Sequence, residues 1–121
     1  MTPQQLRQRT KALALRVLNI IRALPNSIAG RAIANQVVRS GTSVAANYRA
    51  ACRARSKTEF VAKIGLVLEE ADETQLWLEL IVESELLPAR RVQPLLIEAS
   101  ELVAIFVSTR KSASANLKFT I

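Results

Sequence analysis

Residues 31–82 read RAIANQVVRSGTSVAANYRAACRARSKTEFVAKIGLVLEEADETQLWLELIV, and the spacing of apolar and small residues within them decides the fold. The stretch predicts two long helices folded back at Ala54-Arg55-Ser56-Lys57. Ser56 is a good N-cap and Glu59 stands three residues on, the spacing of a capping box in which each side chain satisfies a backbone donor at the start of the second helix. If the chain reverses there, residues at equal height on the two arms have numbers summing to about 111. Ile33 then faces Leu78, Val37 faces Thr74, Ser40 faces Ala71, Val44 faces Val67, Asn47 faces Ile64 and Ala51 faces Phe60. These positions recur every three or four residues on both arms, the period of a helical packing stripe. The same register sets Gln36 opposite Gln75 and Arg39 opposite Asp72 or Glu73. Such groups, with Asn47, predict a polar layer that fixes register more than it adds stability.

Working outward, the 121 residues suit a single domain, 1–121, long enough for a core and too short for two. Half of them are hydrophobic, yet aromatics make up only 4%, with 3 glycines and 4 prolines. That composition favours helices of Ala, Leu, Val and Ile over sheets, so the expected class is all-α. A first helix is predicted over 3–24, with Thr2 as cap, Pro3 at the first helical position and Pro25-Asn26-Ser27 as the stop. The hairpin supplies helices over about 28–53 and 57–86, and a fourth is predicted over about 89–111 with an irregular start at Pro94. Residues 112–121 lack periodicity and read as a loose extension whose Leu117, Phe119 and Ile121 are expected to dock on a neighbour. Short connections force antiparallel neighbours, giving an up-down-up-down four-helix bundle. The pair Ser40-Gly41, with Ala45 and Ala46 a turn later, predicts a close approach by another helix, because a mid-helix Gly otherwise costs about 1 kcal/mol against Ala.

Charge is unevenly distributed. Residues 1–63 carry twelve Lys or Arg against the one acid Glu59, a net +11, whereas residues 64–121 carry five bases against nine acids, a net −4. A polyanion-facing half is the natural reading. Two basic sets are the candidate contacts: Arg7, Arg9, Lys11 and Arg16 on the first helix, and Arg49, Arg53, Arg55 and Lys57 around the hairpin turn. Arginine predominates, and its guanidinium grips phosphate bidentately and stacks on bases. No nucleic-acid reader motif is present, so the expected mode is phosphate and shape recognition of RNA, in preference to DNA, with strong salt dependence.

The segments Leu76-Trp77-Leu78-Glu79-Leu80-Ile81-Val82 and Leu102-Val103-Ala104-Ile105-Phe106-Val107 are apolar around nearly their whole circumference, more than one bundle can bury. Self-association is expected, with Trp77, Leu80, Ile105 and Phe106 as interface residues; the alternative for Trp77 and Phe106 is the bundle core.

Enzymatic chemistry is not expected. There is no His, and Glu69, Asp72 and Glu73 lack the Glu-x-x-His pairs of a di-iron bundle. The lone Cys52 has no His to activate it and excludes an internal disulfide. Neither a metal nor a cofactor is called for. No run approaches the roughly 18 uncharged apolar residues of a membrane span, and MTPQQLRQRTK lacks a signal-peptide core, so a cytoplasmic protein without membrane contact is expected.

The hairpin resembles the 23S rRNA intervening-sequence proteins. The resemblance is carried by Gln36-Val37-Val38-Arg39-Ser40-Gly41-Thr42-Ser43-Val44-Ala45-Ala46-Asn47-Tyr48, then Arg53, Ser56, Glu59-Phe60, Glu70-Ala71 and Glu73-Thr74-Gln75-Leu76, and spans about residues 5 to 110. Many members have an Ile-Ala-Glu-Gly type sequence after the Asn where this chain has Tyr48-Arg49-Ala50-Ala51, so any role tied to that Glu does not carry over and this helix end is more basic. The resemblance implies a small basic cytoplasmic four-helix bundle forming a ring-like homopentamer, without an established biochemical activity. A similar fold in the accessory variability proteins of diversity-generating retroelements is pentameric and binds nucleic acid and a reverse transcriptase. Two functions stand side by side: a non-enzymatic oligomeric nucleic-acid binder, or an oligomeric scaffold recruiting an acidic protein.

Overall fold

Four helices follow one another with short connections: α1 (Pro3–Ile21), α2 (Ile28–Cys52), α3 (Lys57–Glu83) and α4 (Ala89–Thr120). The computed structural model describes the backbone of residues 1–120 and the side chains of residues 1–115. Each helix packs on its chain neighbour, and a smaller contact of α1 with α4 closes the bundle. Among the described residues, all regular secondary structure is helical.

Local chemistry starts each helix. Thr2 accepts from the Gln5 amide while Gln5 accepts from the Thr2 amide, a full capping box ahead of Pro3. Ser27 caps α2 through the Gly30 amide. Ser56 caps α3 through the Glu59 amide, as its spacing predicts, but the Glu59 carboxylate accepts from the Arg55 amide instead of completing the box at Ser56. The α1–α2 connection begins earlier than expected, because Ala23 and Leu24 make tight i→i−3 turns on Ile20 and Ile21. At the other end of the chain the difference is larger. The α4 helix runs unbroken through Pro94 and on to Thr120, so the irregular start and the loose tail are both replaced by helix. The expected docking of Leu117, Phe119 and Ile121 lies outside the described side chains. By length and composition α4 could span a bilayer, since an 18-residue window within Ala89–Ala115 has mean hydropathy 1.4, yet its Val92, Leu95, Ala99, Leu102 and Phe106 form a buried stripe against the other helices.

The hairpin seam is buried along the predicted stripes. Val37, Ser40, Val44 and Ala51 of α2 are buried with Ile64, Val67, Ala71, Thr74 and Leu78 of α3. Leu6, Leu13, Val17 and Ile20 bring α1 onto this seam. Gly41 is the expected close approach: a Cβ there would lie 2.9 Å from a Val17 methyl carbon.

The polar layer is arranged differently from the expectation. Its buried part is a hydrogen bond of 2.9 Å from Thr74 Oγ1 to Ser40 Oγ. Of its two expected partners Arg39 takes Glu73, at 3.1 Å, and not Asp72, which is exposed; Glu70 joins the pair at 3.6 Å. Gln36 is likewise exposed and accepts from Arg39 at 3.5 Å, while Asn47 donates to the Ser43 carbonyl of its own helix. Gln75 is half-buried with no side-chain hydrogen bond among the described residues. The charged part of the layer therefore sits at the solvent edge of the seam, since a guanidinium stays in water unless it is fully paired. Phe106 is corrected from interface to core: it is fully buried, and its ring lies 5.4 Å from that of Tyr48.

Candidate nucleic-acid interface

The basic residues of α1 and of the hairpin turn converge because α1 lies along α2. On α1, Gln4, Arg7, Gln8 and Lys11 recur at helical spacing; on α2, Thr42, Ala45, Ala46 and Arg49 do the same. The two stripes wall a groove of about 610 Å³. The exposed side chains of Arg7, Lys11 and Arg49 form its rim, and the small Ala45 and Ala46, half-buried and exposed respectively, leave its floor open.

A second cavity of about 540 Å³ lies at the end of the bundle where the hairpin turns, lined among others by Arg7, Tyr48, Cys52, Arg55, Lys57 and Phe60. Pro3 and Lys57 also line it, so the N-terminal ends of α1 and α3, the positive ends of their dipoles, both face it, against the single C-terminal end of α2. Arg7 lines both cavities, so the two adjoin at this side chain. Tyr48 forms part of the wall. Burial pushes its phenol well above the usual tyrosine range, and the adjoining Cys52 thiol adds to the shift.

Of the eight basic candidates, the structure gathers Arg7, Lys11, Arg49, Arg55 and Lys57 around these cavities. All five are exposed, and none has an ion-pair partner among the described residues. Arg16 and Arg53 are exposed but line neither cavity. Arg9 is engaged elsewhere: its Nε donates to Glu98 at 3.0 Å in a two-pronged, half-buried pair that ties α1 to α4. That hydrogen bond raises the guanidinium's already high pKa further. The residues that sequence reasoning missed are Gln4, Gln8, Thr42, Ala45 and Ala46; their shared helical spacing on two neighbouring helices was the available signal.

The candidate assembly surface is separate. Leu66, Leu76 and Leu80 of α3 and Ile97 and Val107 of α4 remain 39–53% exposed. Trp77 and Ile105 are half-buried against the core, and the Trp77 indole Nε1 is buried without a hydrogen-bond partner among the described residues. Leu66, Leu76, Ile97 and Val107 thus join Leu80 as apolar positions facing outward. No group of three or more potential metal ligands occurs among the described residues.

The family described as 23S rRNA-intervening sequence protein matches the chain over residues 3–108. Among solved structures, the chain is similar to a protein of unknown function from the S23 ribosomal protein family of Bacteroides thetaiotaomicron, known from a crystal structure at 1.70 Å resolution. The two share 29% identity with a TM-score of 0.80, over 92% of this chain and 99% of that one. No functionally curated protein matches the chain.

Proposed function

The chain belongs to the 23S rRNA-intervening sequence protein family, and from that premise we propose that it is a non-enzymatic, oligomeric RNA-binding protein that grips phosphates with its basic surface. The observation that carries this reading is the convergence of five cations, without ion-pair partners among the described residues, from two separate sequence segments on adjoining cavities that share Arg7. A solvated charged face needs no such concavity, whereas a phosphate chain is held best by cations on both sides of a groove. The family's tie to 23S rRNA favours RNA over DNA. Outward-facing leucines on α3, with Ile97 and Val107 on α4, support assembly of copies into a ring. A pentamer agrees with the family resemblance, and repetition of the basic surface around a ring raises avidity without new contacts. The cytoplasm is the proposed location.

A titration of labelled RNA at several salt concentrations tests the reading. Binding should weaken steeply with salt, log K falling with log salt at a slope of about −0.7 per single-strand phosphate neutralised. A flat or absent salt response overturns it. The competing reading, a scaffold that recruits an acidic protein through the same cations, separates cheaply: the purified protein should carry nucleic acid that high salt removes, visible as a fall in the ultraviolet absorbance ratio.

A further inference from the structure

We propose that the two cavities joined at Arg7 form a track for a single-stranded polynucleotide, in which phosphates lie on the rim cations and unstacked bases enter the cavities. The inference rests on the nucleic-acid reading and specifies its ligand. A duplex keeps its bases inside and offers an outer surface of phosphate and sugar, which rim cations alone could hold. The floor would then have no use. Volumes of about 610 and 540 Å³ are instead in the range of sites that enclose small molecules, about 300–1,000 Å³.

The floor and walls also have the chemistry that bases need. Ala45 and Ala46 leave a shallow apolar bed, and Gln4 and Gln8 stand opposite them with amides able both to donate and to accept at a base edge. In the second cavity the half-buried Phe60 presents an aromatic ring beside Arg55 and Lys57. Cations that follow a backbone, with aromatic side chains on which bases stack, are the combination single strands are bound by. The Tyr48 ring is committed to Phe106 in the core, which leaves Phe60 as the stacking residue. A run of acidic side chains would satisfy the cations but brings no aromatic ring to stack on Phe60 or to lie on the bed of alanines.

The test is fluorescence anisotropy on the full chain, using a labelled single-stranded RNA of about 12 nucleotides, long enough for the usual site sizes of about 4–16, and a duplex of the same sequence. Ala46→Leu fills the first cavity from an exposed helix position without changing charge, and Phe60→Leu removes the ring from the second. Arg16→Gln removes a cation outside both. Each of the first two should weaken single-strand binding about tenfold while duplex binding changes less than about twofold, and Arg16→Gln should weaken both forms alike. Circular dichroism checks folding, and Ala46→Leu keeps the question open to test should Phe60→Leu unfold. Equal affinity for both forms, with neither cavity variant exceeding Arg16→Gln, overturns the track while leaving nucleic-acid binding intact. Displacement of the single strand by polyglutamate as readily as by unlabelled RNA of equal charge also overturns it. Failure of every polynucleotide to bind in a salt-sensitive way overturns the parent reading.

Discussion

At the scale of single residues, two glycines show how surroundings set the sign of one substitution. Gly41 and Gly65 both lie inside helices, where Ala is favoured over Gly by about 1 kcal/mol. At Gly41 a new Cβ would stand 2.9–3.2 Å from three carbons of the buried, β-branched Val17, so that one of the two helices must shift; at Gly65 the nearest atoms belong to the Arg110 side chain at 3.7 Å. Gly41→Ala should therefore lower stability by about 1–2 kcal/mol, the overpacking cost outweighing the propensity gain, while Gly65→Ala should raise it by up to about 1 kcal/mol. Urea unfolding of both variants checks the opposite signs. Glu70 offers a test of pH. Burial raises its pKa above the ordinary carboxylate value, and neighbouring Glu73 adds to the rise although Arg39 opposes it. The folded protein thus binds a proton that the unfolded chain has released, so this group's contribution to stability falls as pH rises from about 4.5 through the raised value. Glu70→Gln should accordingly melt at an equal or higher temperature than the parent at pH 7, with Arg39 still paired to Glu73, and lose that advantage near pH 4. A variant less stable at pH 7 than at pH 4, relative to the parent, would show that the Arg39 contact outweighs burial.

At the scale of elements, the helix ends are where local sequence speaks most directly. The α3 helix closes with the Leu86 amide bonded to the Ile81 carbonyl across Glu85, whose φ of 61° is left-handed. Glycine is the residue suited to that position, and a side chain there costs about 1 kcal/mol, so Glu85→Gly should stabilise by roughly that amount in thermal unfolding, and a loss would mean that the Glu85 side chain contributes something its backbone conformation conceals. The same locality explains what could be read beforehand. The α2–α3 hairpin was legible because Ser56, Thr74, Ser40 and the apolar stripe obey spacings of three and four residues. Other features were not, and for a physical reason. Arg9 finds Glu98 across 89 positions of sequence, so nothing near Arg9 distinguishes it from Arg7 or Lys11. The apolar segments of α3 and α4 carry no stripe, which left Phe106 and Leu80 equivalent until packing buried the first and exposed the second. Asp72 and Glu73 differ by one position, about 100° around a helix, and only the crossing geometry of α2 and α3 selects Glu73 for Arg39. Of the candidate site, the cations were readable from charge alone, but the groove between them required knowing that α1 lies on α2.

At the scale of the whole molecule, the exposed Leu76 and Leu80 line neither cavity of the proposed basic track, so the proposed binding and assembly can be separated by substitution. Leu76 and Leu80 lie one turn apart on α3, 45% and 39% exposed, with Trp77 half-buried beside them. Their side chains are outside the core, so replacing both with serine should leave the helical content and the cooperative melt nearly unchanged; surface substitutions of this kind usually move stability by no more than about 0.5 kcal/mol each. If α3 and α4 build the ring, however, the double variant removes apolar area from every subunit contact at once, and light scattering should record a shift from the parent's assembly to monomer at the same concentration. RNA binding then becomes the informative measurement. The cations and Phe60 are untouched, so each subunit keeps its site, yet the linked sites that a ring presents to one long strand are lost. Avidity from linked sites commonly exceeds single-site affinity by about 10²–10⁴-fold. The monomeric variant should therefore bind a long RNA at least tenfold more weakly than the parent while binding a short one, able to reach a single subunit only, with the parent's affinity. A variant that keeps the parent's subunit number would place the assembly contact elsewhere, and equal loss for long and short strands would mean that the interface itself completes the binding site.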